Sequence, residues 1–376
     1  MAHNDNSFAV TIGEHTLQVV SPLAPVRGAV EHALTGAFVI SDSHPSPHWT
    51  LEVELLSADE LATVGDTSTH ARLVVEEGSV EDRVLQYSAD RIVVARPESR
   101  HGGPYMLKVD HRARRWTAFI ATDTLRDLRW VPRLVRLYFG AFLQSEGCAY
   151  VHAATVEWEG RGILFAGNGG SGKTSLAFLA CSRLGARFLS DDTTVIRPSE
   201  NGTVSVFGWP RRVALGLSLL QHEPQFPEIR NRRLRREGLD FSFPTSDVLP
   251  TEWARKNRVA FDPAEFLEIF GLTTSPAAKP ALVVLPKARA NHDGWSVDAV
   301  APEDANGLLA PCGLRQMEYV TDFLGVTPHA RPRPHDDAIS ALEKLPAISV
   351  TYGTEVKNDF GRFWEDVVCR NLPDGR

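Results

Sequence analysis

The sequence predicts an α/β phosphate-loop domain behind a β-rich N-terminal domain, α+β overall. Three observations carry this expectation. Residues 8–125 are a series of β-branched or alternating runs separated by turn residues. Residues 165–178, "FAGNGGSGKTSLAF", set a glycine-rich turn between an apolar strand pattern and a helical one. One strand further on, "FLSDDTTVI" ends an apolar run on two adjacent acids. The expected division is a β-rich domain at 1–128, a linking helix at 129–147 and a P-loop domain at 148–376, with an arginine-rich mobile segment at 210–258.

In the N-terminal part, "TLQVV", "LEVELL", "ARLVVEE", "RVLQYS", "RIVVA", "YMLKVD" and "RWTAFIA" read as strands. They are broken by stretches such as "SDSHPSPH" and "PESRHGGP". An antiparallel unit is expected. His44, His48, His70, His101 and His111 are scattered through it and form no catalytic constellation. The period then changes. Val131, Leu134, Val135, Tyr138, Ala141 and Phe142 recur at helical spacing, with Gly147 as a stop signal. This is the expected link.

The pattern after the link is strand, turn, strand, glycine loop, helix, strand. "AYVHAATVEW" and "GILFAG" are the strands around an "EGRG" turn, "TSLAFLACSRLG" is a helix ended by Gly185, and "ARFLSDD" is the next strand. Residues 210–258 read as irregular. "PALVVLP" and "AISVTYG" then read as strands, and "PEDANGLLA", "DDAISALEKL" and "NDFGRFWEDVVCR" as helices.

Composition narrows the function classes. The chain has 376 residues, 43% of them apolar, 23% charged, with a formal charge of −7. That balance argues against a bulk nucleic-acid binder. Cys148, Cys181, Cys312 and Cys369 form no CxxC pair, so neither zinc nor a disulfide framework is signalled. The opening "MAHNDNSFAV" has no basic n-region and no apolar h-region, and no apolar run nears the roughly 20 residues of a membrane span. A cytoplasmic protein with no membrane partner is expected.

Gly167 to Thr174 spell G-x-x-x-x-G-K-T. A loop that wraps phosphates turns its backbone N–H groups inward, which glycine does at least steric cost. Gly167, Asn168, Gly169, Gly170, Ser171, Gly172, Lys173, Thr174 and Ser175 are therefore the expected nucleotide-binding set. Lys173 would meet the terminal phosphates, Thr174 would offer a hydroxyl to Mg²⁺, and the helix would aim its positive end at the anion. Asp191 and Asp192 could divide two tasks, one near the metal and one on an acceptor hydroxyl. Either could instead cap a turn. Arg211, Arg212, Arg230, Arg232, Arg233, Arg235 and Arg236 could neutralise a transferred phosphoryl group, hold an acidic substrate, or line a solvated loop. Arg211 and Arg212 come first, in "GWPRR". No LSGGQ-like signature, NKxD element or distant acidic run points to a transporter, a GTPase or a motor.

Residues 151–196, "VHAATVEWEGRGILFAGNGGSGKTSLAFLACSRLGARFLSDDTTVI", resemble the catalytic core of the HPr kinase/phosphorylase superfamily. More closely, they resemble the HPr-kinase-related kinases of bacterial biosynthetic clusters, including those that phosphorylate lasso peptides. A weaker likeness runs over about 145–355. The resemblance implies the fold shared with ATP-dependent phosphoenolpyruvate carboxykinase, and ATP as the nucleotide. It implies His152 as the family's core histidine, Asp191 as catalytic base and Asp192 as its neighbour near the metal or the loop. Without it, a lone histidine in "YVHAATV" reads more often as a hydrogen-bonded core residue. The glycine-rich signature of HPr kinases proper is absent after the aspartates, which argues against HPr as substrate and against phosphorylase activity. The resemblance also admits a homo-oligomer whose copies share arginines.

Three functions follow as expectations. The first is an ATP- and Mg²⁺-dependent kinase acting on a Ser or Thr hydroxyl of a peptide or small protein. The second is a kinase acting on a metabolite hydroxyl. The third is a nucleotide-gated binding module without transfer chemistry.

Overall fold

The computed structural model describes residues 6–42, 45–57, 59–61, 73–77, 80–87, 91–96, 103–121, 128–199, 202–235, 258–301, 326–327 and 336–373. The expected helix "PEDANGLLA" lies outside them, as do Arg236, His44, His70 and His101. The chain divides into two compact units: Met1–Glu146 with Tyr319–Arg333, and Gly147–Glu318 with Pro334–Arg376. Among the described residues no helix is long and apolar enough to cross a membrane.

The first unit is built on a nine-stranded sheet, ordered β3-β1-β2-β4-β9-β8-β7-β6-β5. Its strands are β1 (Asn6–Ile12), β2 (His15–Ser21), β3 (Val39–Ser41), β4 (Trp49–Leu55), β5 (Leu73–Glu77), β6 (Val80–Tyr87), β7 (Arg91–Arg96), β8 (Tyr105–Asp110) and β9 (Arg115–Ile120). The expectation of an antiparallel unit holds only for part of it. β2 pairs parallel with β4, and β4 parallel with β9. Parallel neighbours need a crossover connection, and the segment between β2 and β4 supplies one, containing α1 (Pro25–Leu34). Val26, Val30 and Leu34, four residues apart on one helix face, are buried. Helix α2 (Trp130–Ser145), expected as a link, falls within this unit. Its Tyr138 is buried edge-on to Trp116 and donates its hydroxyl to the Thr16 carbonyl at 3.3 Å. Burial pushes that phenol's pKa far up. At the helix end, His15 Nε2 meets Glu146 Oε1 at 2.6 Å.

The second unit holds a six-stranded sheet ordered β13-β11-β12-β18-β20-β19. These strands are β11 (Ala153–Trp158), β12 (Arg161–Ala166), β13 (Arg187–Ser190), β18 (Lys279–Ala288), β19 (Trp295–Val300) and β20 (Ala347–Tyr352). Strands β12, β18 and β20 are mutually parallel. β11 turns back into β12 through Glu159 and Gly160, both at positive φ (50° and 79°), the geometry that suits a two-residue hairpin. One sheet face carries Ile163, Phe165, Leu282, Val284, Ile348 and Val350. These pack with α3 (Lys173–Leu184) and with Phe363, Trp364 and Val367 of a helix at Phe360–Val367. The other face carries Leu164, Ala166, Val283 and Leu285, which pack with Ile196, Val206, Ala338 and Leu342.

A smaller sheet, β10-β14-β15, lies beside the larger one. It is formed by β10 (Ala149–Val151), β14 (Thr194–Pro198) and β15 (Val204–Gly208). The expected single strand "AYVHAATVEW" is thus two strands, broken at His152. Val151 pairs with Thr194 in the small sheet, and Thr155 pairs with Ser190 in the large one. Strands that pass from one sheet to another bend at the corner, and alternation alone does not report the change of partner.

Residues 210–258, expected as irregular, contain regular elements. β16 (Val213–Gly216) pairs antiparallel with β17 (Arg258–Phe261). Between them lie α4 (Leu217–Leu220) and α5 (Phe226–Arg235). Each strand is four residues long, too short for periodicity to register.

Candidate functional site

The site forms where two chain segments leave the large sheet for the small one at the same level. His152 is the corner between β10 and β11, and Asp191–Asp192–Thr193 is the corner between β13 and β14. The ends are pinned by buried hydroxyls. Thr194 Oγ1 donates to the Ala153 carbonyl at 3.0 Å and therefore accepts from Thr155 Oγ1 (2.7 Å) and Ser190 Oγ (2.9 Å). Thr194→Val is expected to destabilise the protein by about 2–3 kcal/mol in denaturant titration, because three buried polar groups lose a partner. A change within 0.5 kcal/mol, the size of an ordinary surface substitution, would mean that the network does not hold the corner.

The glycine loop starts at the carboxyl end of β12 and runs into α3. Among parallel strands that edge is where ligands bind. Gly167 is buried, whereas Asn168, Gly169 and Gly170 are exposed. Gly172 precedes the helix at φ 103°, and its carbonyl accepts the first helical bond, from Leu176 N–H at 3.0 Å. The neighbouring strand ends brace the loop. Ala288 N–H donates to the Ser171 carbonyl at 3.1 Å, and the Tyr352 hydroxyl to the Gly172 carbonyl at 3.3 Å. Ser171 Oγ is buried with no hydrogen-bond partner among the described residues. Ser175 is half-buried in the first turn of α3.

Lys173 is buried, and its ammonium donates to the carbonyls of Gly167 (2.6 Å) and Asn168 (3.2 Å) and to His152 Nε2 (3.1 Å). Burial lowers its pKa, while Asp192 and Asp191 pull it back up. Because His152 Nε2 accepts, its proton sits on Nδ1, which donates to the Asp192 carbonyl at 3.0 Å. Burial, then the Lys173 charge, lower the His152 pKa, so the ring is held neutral.

The two aspartates differ. Asp191 is buried, with Oδ1 accepting from the Thr174 hydroxyl at 2.7 Å. Burial pushes its pKa up to about 6, against the Thr174 bond, with further contributions from Asp192, Lys173 and the Ala214 N–H that also binds it. Asp192 is partly exposed and lies at φ 65°, inside a three-residue turn closed by Thr193 N–H on the Asp191 carbonyl at 2.7 Å. A non-glycine residue held there is uncommon, and such strain clusters at functional positions. Its carboxylate faces Arg211 at 3.2 Å and His152 at 3.3 Å.

The structure thus brings together His152, Lys173, Thr174, Asp191, Asp192 and Arg211. Arg212 points elsewhere, to Asp262 at 2.8 Å. The side chains of Arg232, Arg233 and Arg235 lie outside the described residues. Tyr352, Ala288, Ala214 and Thr194 were not anticipated. The only trace of them in the sequence is that each sits at or beside a strand end.

The donor set suits a phosphorylated ligand and a hard divalent cation. A buried ammonium, an orphaned hydroxyl and a glycine cradle fit phosphate oxygens. Thr174 with Asp191 and Asp192 offers the oxygen ligands that Mg²⁺ takes. Fold and site together define a two-unit α+β chain with a strand–glycine loop–helix at its chemical centre. A family model described as SynChlorMet cassette protein ScmC matches residues 121–224. That span, under a third of the chain, includes all the residues brought together above. No curated protein matches the chain.

Proposed function

We propose that this chain is an ATP- and Mg²⁺-dependent kinase with an HPr-kinase-like core, acting on a hydroxyl acceptor, foremost a Ser or Thr of a peptide or small protein. The observation that carries the reading is the pairing of a buried Lys173, held by the carbonyl of Gly167, with the buried Asp191 carboxylate on the Thr174 hydroxyl, whose pKa burial pushes up to about 6. A base works best when its pKa lies close to the working pH. Asp191 would take the acceptor proton. Lys173 would hold the terminal phosphate, His152 keeping the ammonium placed through its neutral ring. Thr174 and Asp192 would hold Mg²⁺, which when bound offsets charge on the phosphates. ATP, rather than another nucleotide, rests on the family resemblance.

The test is the melting temperature of wild type and Lys173→Ala with and without Mg·ATP. A ligand at about 100 times its Kd adds roughly 2.7 kcal/mol of apparent stability. A shift in the wild type that disappears in the variant supports the cradle and justifies screening acceptors with labelled ATP. No shift at saturating nucleotide removes the kinase reading unless an acceptor restores it.

A further inference from the structure

The six-stranded sheet ends at β19, which pairs with β20 on one side and with no described strand on the other. An edge strand presents a row of unpaired N–H and C=O groups to any extended chain beside it. Register fixes which groups these are. Tyr352 and Pro346 turn their carbonyls to β18, accepting from Arg289 N–H and Val283 N–H at 2.9 Å each. Gly353 N–H turns the other way, to the Gly294 carbonyl at 3.0 Å. Backbone groups alternate sides along a strand, so Ala347, Ser349 and Thr351 face β19. They stand opposite Val300, Asp298 and Ser296. Trp295, Val297 and Ala299 therefore point their N–H and C=O groups outward, away from β20. β19 has neither proline nor lysine, and its register runs without a bulge, so three of the usual devices that blunt an edge are missing.

This edge is level with the glycine loop. Trp295 pairs with Tyr352, and Tyr352 with Ala288. In that same row the Tyr352 hydroxyl donates to the Gly172 carbonyl, and Ala288 N–H to the Ser171 carbonyl. A single rung thus runs from the loop through β18 and β20 to the outer edge. Phe363 packs against Trp295 there, edge-on at 5.6 Å.

Such an edge pairs with an extended backbone, either a peptide or a second copy of β19. A stable interface between folded proteins takes about 20–30 residues a side, and β19 offers six. We propose that β19 docks the acceptor peptide as an added strand and delivers its hydroxyl across the end of the sheet to the glycine loop. This rests on the kinase reading above. Antiparallel pairing is the more stable kind per residue. It runs the peptide toward the loop, because β19 itself starts at that level, at Trp295. The acceptor then lies on the C-terminal side of the docked segment. The docked strand stands four strand spacings from β12, about 19 Å. An extended chain covers that distance in about six residues. Asp298, exposed on β19, favours a Lys or Arg across from it.

The probe is a set of synthetic peptides, incubated with the full chain, Mg²⁺ and γ-labelled ATP. Each carries an alternating Val/Gln/Lys segment of about seven residues, a usual strand length, then a Gly/Ala spacer of varied length and one serine. Label transfer should peak at a spacing of about six residues. It should fall about tenfold when one alternate set of the segment's amides is N-methylated, and hold when the other set is. Ala299→Pro removes one outward N–H at an edge position, where proline is tolerated. It should lower transfer about tenfold, whereas Ala299→Val, which keeps the N–H, should not. The melting shift with Mg·ATP should be the same in all three proteins. The assignment is overturned if Ala299→Pro transfers as well as wild type, if both N-methylated sets serve equally, or if transfer ignores the spacing. It is overturned equally if a wild type that shows the Mg·ATP shift labels no peptide. Sedimentation that finds a wild-type dimer split by Ala299→Pro would give the edge to a second copy instead. If the wild type shows no Mg·ATP shift at all, the kinase reading falls first and this one with it.

Discussion

Asp191→Asn is expected to raise the stability of the metal-free protein at pH 7.5 while abolishing transfer. The carboxyl is buried, and its pKa is pushed from the ordinary 3.8 to about 6. A carboxyl with a raised folded-state pKa binds its proton more tightly in the native chain than in the unfolded one. Stability therefore falls as pH rises through the window from about 4 to about 6, and the full cost stands above it. A displacement of about two units corresponds to ~3 kcal/mol. Asparagine carries no charge and keeps an acceptor for the Thr174 hydroxyl, so it should recover about 1–3 kcal/mol at pH 7.5 and almost nothing at pH 4. Thermal melts of the two proteins at both pH values measure this directly. Added Mg²⁺ should shrink the difference, because a cation at the carboxylate favours its charged form. Turnover should drop by about 10²–10⁴, the share a positioned base supplies, with Mg·ATP binding kept. A variant less stable than wild type at pH 7.5 would mean that Asp191 is a structural anion. A binding module would keep its function in this variant, so the same substitution separates the enzyme from the third expectation.

The parts of this site that the sequence revealed are those where chemistry and local conformation coincide. The glycines of 167–172 announce a loop, the helix from Lys173 has clear periodicity, and Asp191–Asp192 end an apolar strand. Each signal is contained in a few consecutive residues. What stayed hidden depends on partners distant in sequence. Strand β17 finds its partner β16 only across α4 and α5. His152 sits at a break because β10 and β11 join different sheets, yet both halves read as one alternating strand. Parallel pairing of β2 with β4 was equally silent, since strand composition does not encode direction. Helix α1 was missed for a local reason: Pro25 and Gly28 obscure the spacing of Val26, Val30 and Leu34. Proline at the first helical position is in fact favourable there.

Gly172→Ala should eliminate nucleotide binding, whereas Gly169→Ala should leave it nearly intact. The two glycines share a loop but not a constraint. Gly172 lies at φ 103°, a conformation that L side chains rarely adopt, and a Cβ added there would fall 1.8 Å from the Tyr352 hydroxyl oxygen. That ring cannot easily withdraw: Tyr352 is 2% exposed and its ring centroid is 5.8 Å from that of Phe363. Left-handed strain of about 1–2 kcal/mol and overpacking of about 1–3 kcal/mol would add. Rather than bear both, the backbone should move, carrying the Lys173 amide away from the phosphate position. At Gly169 a Cβ would meet nothing within 4 Å. Melting temperatures with and without Mg·ATP read out both consequences: Gly172→Ala should start lower and gain nothing, while Gly169→Ala should track the wild type. If both variants keep the nucleotide shift, the loop reshapes freely around its ligand, and Tyr352 is no brace. If both lose it, the exposed tip of the loop contacts the phosphates as closely as its helical end does, and the cradle extends further toward β12 than its glycine geometry requires.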